Sequence, residues 1–121
     1  MHSTTARLLA SALVAGALLL SACSDVPREP ASITGTVSDI AQADDATTIL
    51  VTGTGQFEKA SVLLDARTTM LRNTTSGVAA LRLYELVDGV KVSVWFDGPV
   101  AESYPVQAHA GTILMLEPLG P

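Results

Sequence analysis

The side chains best suited to chemistry in this sequence are His109 and three carboxylates, Asp65, Asp97 and Glu102, which could approach one another in a closed barrel. Asp97 or Glu102 with His109 would supply the acid–base pair of a small hydrolase if the fold brought them within about 3 Å of a Ser or Thr hydroxyl. The Gly-x-Ser-x-Gly motif that carries the nucleophile of many hydrolases is absent. We therefore assign no catalytic residue, and the sequence favours a protein that is not an enzyme.

The single cysteine, Cys23, follows a segment with the features of a secretion signal. Residues 8–20 contain no charged side chain, and at 1.5 Å per residue they span about 20 Å, which is short of the roughly 30 Å hydrocarbon core of a bilayer. A charged start, an apolar centre and small residues at the end are typical of a signal that is cleaved off.

The residues that end this segment, Leu20-Ser21-Ala22-Cys23, resemble the lipobox of bacterial lipoproteins. The resemblance implies cleavage between Ala22 and Cys23 and a diacylglyceryl group on the Cys23 Sγ atom. Two or more acyl chains hold a protein stably on a membrane. We therefore expect a bacterial envelope protein that its lipid anchors to a membrane outside the cytosol. An ordinary signal peptide with an incidental cysteine is the alternative.

These features divide the chain into three parts. Residues 1–22 are the predicted lipoprotein signal, residues 23–32 are the lipidated cysteine and a flexible tether, and residues 33–118 form a small folded domain. The tether contains two prolines and three charged residues, and it reaches up to about 30 Å when fully extended.

Candidate metal ligands are few. One cysteine excludes a disulfide framework and a cysteine-rich zinc site. His2 leaves with the signal, and His109 alone cannot build a three-histidine zinc centre. Asp44 and Asp45 share a predicted turn, but no EF-hand loop surrounds them. We predict no metal and no cofactor.

The charge balance limits the partners. The chain has 7 Lys and Arg residues against 12 Asp and Glu residues, a formal net charge of −5. Such a chain cannot neutralise many phosphates, so nucleic acid is not an expected partner. Hydrophobic residues make up 48% of the sequence, which is too many for a wholly disordered protein.

Apolar residues that alternate with polar ones predict strands throughout the folded domain. The pattern is clearest in the fourth strand, where Val92, Val94 and Phe96 share one face. Five strands are predicted, over residues 33–38, 47–52, 60–65, 90–97 and 106–117. In this interpretation residues 68–71 extend the third strand after a bend.

Residues 78–87 are open to two interpretations. They form a short helical or irregular segment that leads into the fourth strand, or residues 81–87 pair with residues 90–96 across the Asp88-Gly89 turn. We favour the first. The predicted fold is then mainly all-β, a small five-stranded OB-like barrel with a short helical insertion, preceded by the signal helix and the tether. A β-sandwich fragment is the alternative.

The C-terminal half also resembles a family of small bacterial envelope lipoproteins (YobA-like) that is known only as a domain of unknown function. The similarity is densest over residues 86–113, which include Leu86-Val-Asp-Gly89 and Val92-Ser-Val-Trp-Phe-Asp97. It extends to Ile33-Thr-Gly-Thr-Val37 near the start of the domain. The resemblance implies an OB-like architecture and an envelope location, and it implies no activity.

Trp95 is a large apolar side chain whose predicted position adds little to the core. If the apolar residues of its strand face the core, Trp95 points outward, where an indole is a common contact for a sugar or a protein partner. The alternative is that residues 99–104 or the helical insertion cover it. The candidate binding surface consists of Trp95, Asp97, Glu102 and Tyr104.

Together these features favour a membrane-anchored, non-catalytic binding or accessory module of the envelope, whose partner is a protein or a glycan. The alternatives are a small hydrolase that uses Asp97 or Glu102 with His109, and a hydrolase inhibitor that inserts the acidic loop 97–102 into a cationic cleft. The surroundings of His109 distinguish the hydrolase from the binding module.

Overall fold

Alternating side chains build seven strands in residues 26–116, the part of the chain that the structure, a computed structural model, describes. The strands are β1 (Ile33–Gln42), β2 (Thr47–Gly55), β3 (Lys59–Leu64), β4 (Thr69–Thr74), β5 (Gly77–Ala80), β6 (Lys91–Ala101) and β7 (Val106–Met115). A 3-10 helix, Leu83–Glu85, lies between β5 and β6. No helix in this range is long and apolar enough to cross a membrane. The predicted signal, with Ala22 and Cys23, lies outside the described residues.

The seven strands form one sheet in the order β3-β2-β1-β6-β7-β4-β5. A further pairing joins β3 to β7 in parallel, with Ala60 opposite Val106 and Leu63 opposite His109. The pairings from β1 through β2, β3, β7 and β6 back to β1 therefore run round a closed circuit of five strands. β4 and β5 extend the sheet outside this circuit, because β4 pairs with the C-terminal half of β7.

Apolar side chains from all five strands of the circuit fill its interior. The alternation in β6 puts Val92 and Val94 inside, as the sequence predicts. Burial of a side chain of this size stabilises the fold by about 1.5–3 kcal/mol. The largest fully buried side chains are Ile33, Val37, Ile49, Val51, Val62, Val92, Val94, Ile113 and Met115.

The predicted count of five strands is wrong, because the segment between the third and fourth predicted strands contains two more. Thr69–Thr74 is not an extension of β3. It is a separate strand that continues along β7 beyond the end of β3. Within the described residues the helical insertion is a single 3-10 turn, preceded by β5. The alternative hairpin across Asp88-Gly89 does not form, since β6 pairs with β1 and β7 instead.

The end of the predicted tether lies against the sheet. The backbone N–H of Ser32 donates to the Val94 carbonyl at 2.8 Å, and the Ser32 hydroxyl accepts from the backbone N–H of Phe96 at 3.0 Å. The Ser32 carbonyl accepts from the backbone N–H of Gln56. Contacts to the domain therefore begin before the predicted boundary at residue 33.

β1 and β2 cross closely at two opposed glycines, Gly35 and Gly53. A Cβ atom on Gly35 would overlap the Thr52 carbonyl, and one on Gly53 would overlap the Thr34 carbonyl. Both obstacles are backbone atoms, so the strands themselves would have to move apart. Gly35 is also opposite Val92 of β6, so the close crossing lies where β1 joins both of its neighbours.

We expect the substitution Gly35→Ala to lower the free energy of unfolding by about 1–3 kcal/mol, because the added methyl group overpacks the crossing of β1 and β2. Urea denaturation of the variant and the wild type measures this. Thr36→Ala is the matched control on the same strand, since Thr36 is exposed and its loss should change stability by no more than about 0.5 kcal/mol. Equal stabilities for the two variants would contradict the argument.

Candidate functional site

The end of β6 forms an arch over β7. Asp97 is opposite His109 and Ala101 is opposite Gln107, so the three residues 98–100 face Ala108 alone. Gly98 begins this bulge with φ of +71°, a conformation that glycine adopts without strain. We call residues 98–100 the arch.

Beside the arch lies an open groove of about 490 Å³, within the size range of small-ligand sites. Four neighbouring strands, β2, β3, β7 and β6, contribute to it. Its apolar part comes from Leu63 and the arch, and its polar part from the side chains of Thr48, Ser61 and Gln107. Within the described residues these three polar side chains make no hydrogen bond to another side chain or to the backbone. We call this cavity the arch groove.

His109 lies in the lining of the arch groove between two carboxylates. Its Nε2 atom lies 2.8 Å from the Asp65 Oδ1 atom, and its Nδ1 atom lies 2.5 Å from the Asp97 Oδ1 atom. Ionised carboxylates only accept hydrogen bonds, so both contacts are made when both ring nitrogens carry a proton. The hydrogen bonds to Asp65 and then to Asp97 raise the pKa of His109 above its ordinary value of 6.5, and partial burial opposes them.

Asp65 is held by the turn that follows β3. Its Oδ1 atom accepts a hydrogen bond from the backbone N–H of Arg67 at 2.9 Å, and its own N–H donates to the Thr68 hydroxyl. That hydroxyl donates to the Ala110 carbonyl of β7. The hydrogen bond from His109 and then the one from the Arg67 N–H lower the pKa of Asp65 below its ordinary value of 3.8. The carboxylate is therefore fixed and ionised.

Asp97 lies against a glycine of β7. The register of β6 and β7 shifts between Trp95 and Phe96, which leaves Gly111 as the extra residue on β7. A Cβ atom on Gly111 would lie 3.2 Å from Oδ2 of Asp97, so a larger residue there would press on this carboxylate. The glycine leaves room for Asp97 to reach His109.

When both ring nitrogens of His109 carry a proton, the three side chains form an ion cluster with one cation and two anions. Within the described residues no hydroxyl is hydrogen bonded to His109, and neither ring nitrogen is free to take a proton from one. In the same range no group of three or more His, Cys, Asp and Glu side chains is placed to hold a metal ion. The role that these contacts support is structural: the cluster joins β6, β7 and the turn after β3 on the outer side of the sheet.

The candidate binding residues from the sequence have different surroundings. Trp95 is half-buried, and its indole N–H donates to the Glu29 carbonyl at 2.8 Å, so the segment before β1 contacts it. Asp97 belongs to the ion cluster, while Glu102 and Tyr104 are exposed in the loop after the arch. Tyr104 precedes the cis-proline Pro105. The structure therefore joins Asp97 to Asp65 through His109 and leaves Glu102 outside the cluster.

Sequence reasoning missed the polar side chains of the arch groove. Alternation does place Ser61 outward, since Ala60 and Val62 are buried on either side of it. The parallel pairing that puts Gln107 beside Ser61 has no local signal in the sequence. The groove is recognised only when the outward position of Ser61 is combined with the pairing of β3 and β7.

Residues 34–117 match a family described as a protein of unknown function (DUF3221). Comparison with curated proteins and with solved structures finds no match. The match covers β1 to β7 and so includes the whole ion cluster and the arch groove.

The raised pKa of His109 gives the stability of the fold a defined pH dependence. The contribution of His109 to the free energy of unfolding is fully present below its ordinary pKa of 6.5, and it is lost as pH rises through the raised pKa. The contribution of Asp65 is present above 3.8 and is lost as pH falls through the lowered value. We expect His109→Gln to lower the free energy of unfolding most between about pH 4 and pH 6.5, and progressively less at higher pH. Urea denaturation across this range measures the difference.

Two asparagine variants control this experiment, since each removes one charge and keeps the side-chain shape. Asp65→Asn should lower the pKa of His109 more than Asp97→Asn does, because the hydrogen bond to Asp65 is the larger cause of the shift. A titration of the His109 ring protons by NMR measures both values. A wild-type pKa at or below 6.5 would contradict the proposed imidazolium.

Proposed function

Since the chain belongs to the DUF3221 family, whose description assigns no activity, we propose a function from the site itself: a non-catalytic binding module of the bacterial envelope, anchored by lipid on Cys23. The arch groove is its binding site. The observation that carries this proposal is a groove whose polar side chains have no partner within the described residues. Thr48 and Ser61 are half-buried and Gln107 is exposed, so their hydrogen-bonding groups are accessible to a ligand that lies in the groove.

The surroundings of His109 support binding over hydrolysis. A general base needs a free lone pair on a ring nitrogen, and here both nitrogens lie within 2.8 Å of carboxylate oxygens. The same contact argues against an inhibitor that inserts the acidic loop 97–102 into a cationic cleft, because the Asp97 carboxylate is already paired with His109.

The finer assignments belong to the same proposal. The closed circuit of five strands, with β3 and β7 parallel, supports an OB-like barrel with β4 and β5 as an added hairpin. The lipobox residues 20–23 support a lipoprotein of the YobA-like type, with its partner in the envelope, a protein or a glycan. Trp95 then serves to hold the segment that leads from the anchor into β1.

The anchor is tested by the substitution Cys23→Ser. We expect the wild-type protein, expressed in a bacterium, to incorporate radiolabelled palmitate and to sediment with membranes. Cys23→Ser removes the only thiol of the chain, so it should lose the label and leave the membrane fraction. Ser24→Ala keeps the thiol and should behave as the wild type. A labelled Cys23→Ser variant, or an unlabelled wild type, would contradict lipid anchoring.

The binding role is tested by placing a photoreactive benzophenone amino acid at Leu63 in the groove and, in a second variant, at Val87 outside it. The two positions are matched, with exposures of 37% and 44%. Irradiation of intact cells should produce discrete adducts of higher mass from position 63 and not from position 87. Absence of adducts at position 63, or the same adducts at both positions, would rule out the arch groove as the binding site.

A further inference from the structure

The arch groove offers no free charge to a ligand. His109 is the only ionisable residue among the described residues that line it, and its charge is taken up by Asp65 and Asp97. A phosphate or carboxylate ligand would meet two acidic side chains behind the imidazole and no unpaired cation in the lining. The groove is therefore suited to an uncharged ligand.

The hydrogen-bonding groups of the groove match a ligand rich in hydroxyls. The hydroxyls of Thr48 and Ser61 both donate and accept, as does the side-chain amide of Gln107. Leu63 and the arch residue Val100 add apolar surface beside these polar groups. Sugars have this same mixture, with hydroxyls on the rim of the ring and C–H groups on its faces.

The floor of the groove is unsuited to a peptide that binds as an added strand. That mode needs a strand with an unpaired backbone edge. β3 pairs with β2 on one side and with β7 on the other, and β2 pairs with β1 as well as β3. A ligand that lies over β2 and β3 must therefore bind through side chains or through the backbone of the arch, whose residues have no paired residue on β7.

An exposed aromatic ring, Tyr104, lies near Lys59, which is two residues along β3 from the groove residue Ser61. Lys59, Ser61 and Leu63 alternate with buried residues and share the outer face of β3. The Lys59 Nζ atom lies 6.0 Å from the centre of the Tyr104 ring, and Tyr104 is 74% exposed. The Lys59 ammonium lies over one face of the ring, and the exposed remainder of the ring can pack against the flat face of a sugar.

From these four observations we infer that the arch groove binds an uncharged oligosaccharide, with hydroxyls held by Thr48, Ser61 and Gln107 and one sugar ring stacked on Tyr104. This inference rests on the proposed function, and it names the ligand class of the same site.

The test uses the full chain, purified in a detergent without a sugar headgroup, and calorimetric titration. The probes are three neutral sugars, maltohexaose, cellohexaose and chitohexaose in its N-acetylated form, and one acidic sugar, hexagalacturonic acid. We expect at least one neutral probe to bind with a dissociation constant below about 1 mM and the acidic probe to bind more weakly. Tyr104→Ala and Gln107→Ala should each weaken that binding about tenfold.

Tyr84→Ala is the matched control, because Tyr84 is 76% exposed in the 3-10 helix, which contributes no residue to the groove, whereas Tyr104 lies in the loop between the groove residues Ala101 and Gln107. It should bind as the wild type. No binding of any neutral probe, tighter binding of the acidic probe, or equal losses for Tyr84→Ala and Tyr104→Ala would each overturn the inference. If no sugar binds while position 63 still forms adducts in cells, the binding module stands and its ligand is a protein. If the acidic sugar binds more tightly than the neutral ones, the module stands and its ligand is a charged glycan.

Discussion

The parallel pairing of β3 with β7 is the contact on which the rest of the structure depends. It joins residues far apart in the sequence, Ala60 with Val106 and Leu63 with His109, and it closes what would otherwise be an open sheet. Forming such a contact costs conformational entropy, because the long chain segment between the two strands must be closed into a loop. It also brings Asp65, at the end of β3, within hydrogen-bond distance of His109, so that one imidazole links β3, β7 and β6.

The ion cluster gives the arch groove a fixed base. His109 and Asp65 are only 14% and 20% exposed, while Asp97 is 56% exposed. The hydrogen bonds from His109 to both carboxylates therefore offset the cost of removing His109 and Asp65 from water, and Asp97 keeps about half of its contact with water. Asp97 is the last residue of β6 before the arch, and its bond to His109 holds the start of the arch on β7. A ligand then meets a groove that is already ordered, which reduces the entropy lost on binding.

Local patterns in the sequence predicted what depends on local structure. The alternation of Val92 and Val94 predicted the inward face of β6. The sequence offered Asp97 with His109 only as one version of a hydrolase, because the pairing of β6 with β7 that joins them was not predicted. The separate strand β4 was missed, because Thr69–Thr74 resembles an extension of β3 until its pairing with β7 is known. The role of His109 was open for the same reason. Its second carboxylate, Asp65, reaches it only through a pairing that no neighbouring residue specifies.

The position of β1 in the circuit also determines where the chain from the proposed lipid anchor reaches the domain relative to the groove. In a closed circuit of five strands, β3 and β7 are the two that do not adjoin β1. The segment before β1 runs along β6, where Trp95 and Phe96 hold Glu29 and Ser32. The described part of this segment therefore approaches the fold along β6, and residues 26–32 make no hydrogen bond to β3 or β7. If Cys23 carries the lipid, the chain that leads from it reaches the domain at β6, and the groove residues Ser61, Leu63 and Gln107 belong to the two strands that this segment does not hydrogen bond.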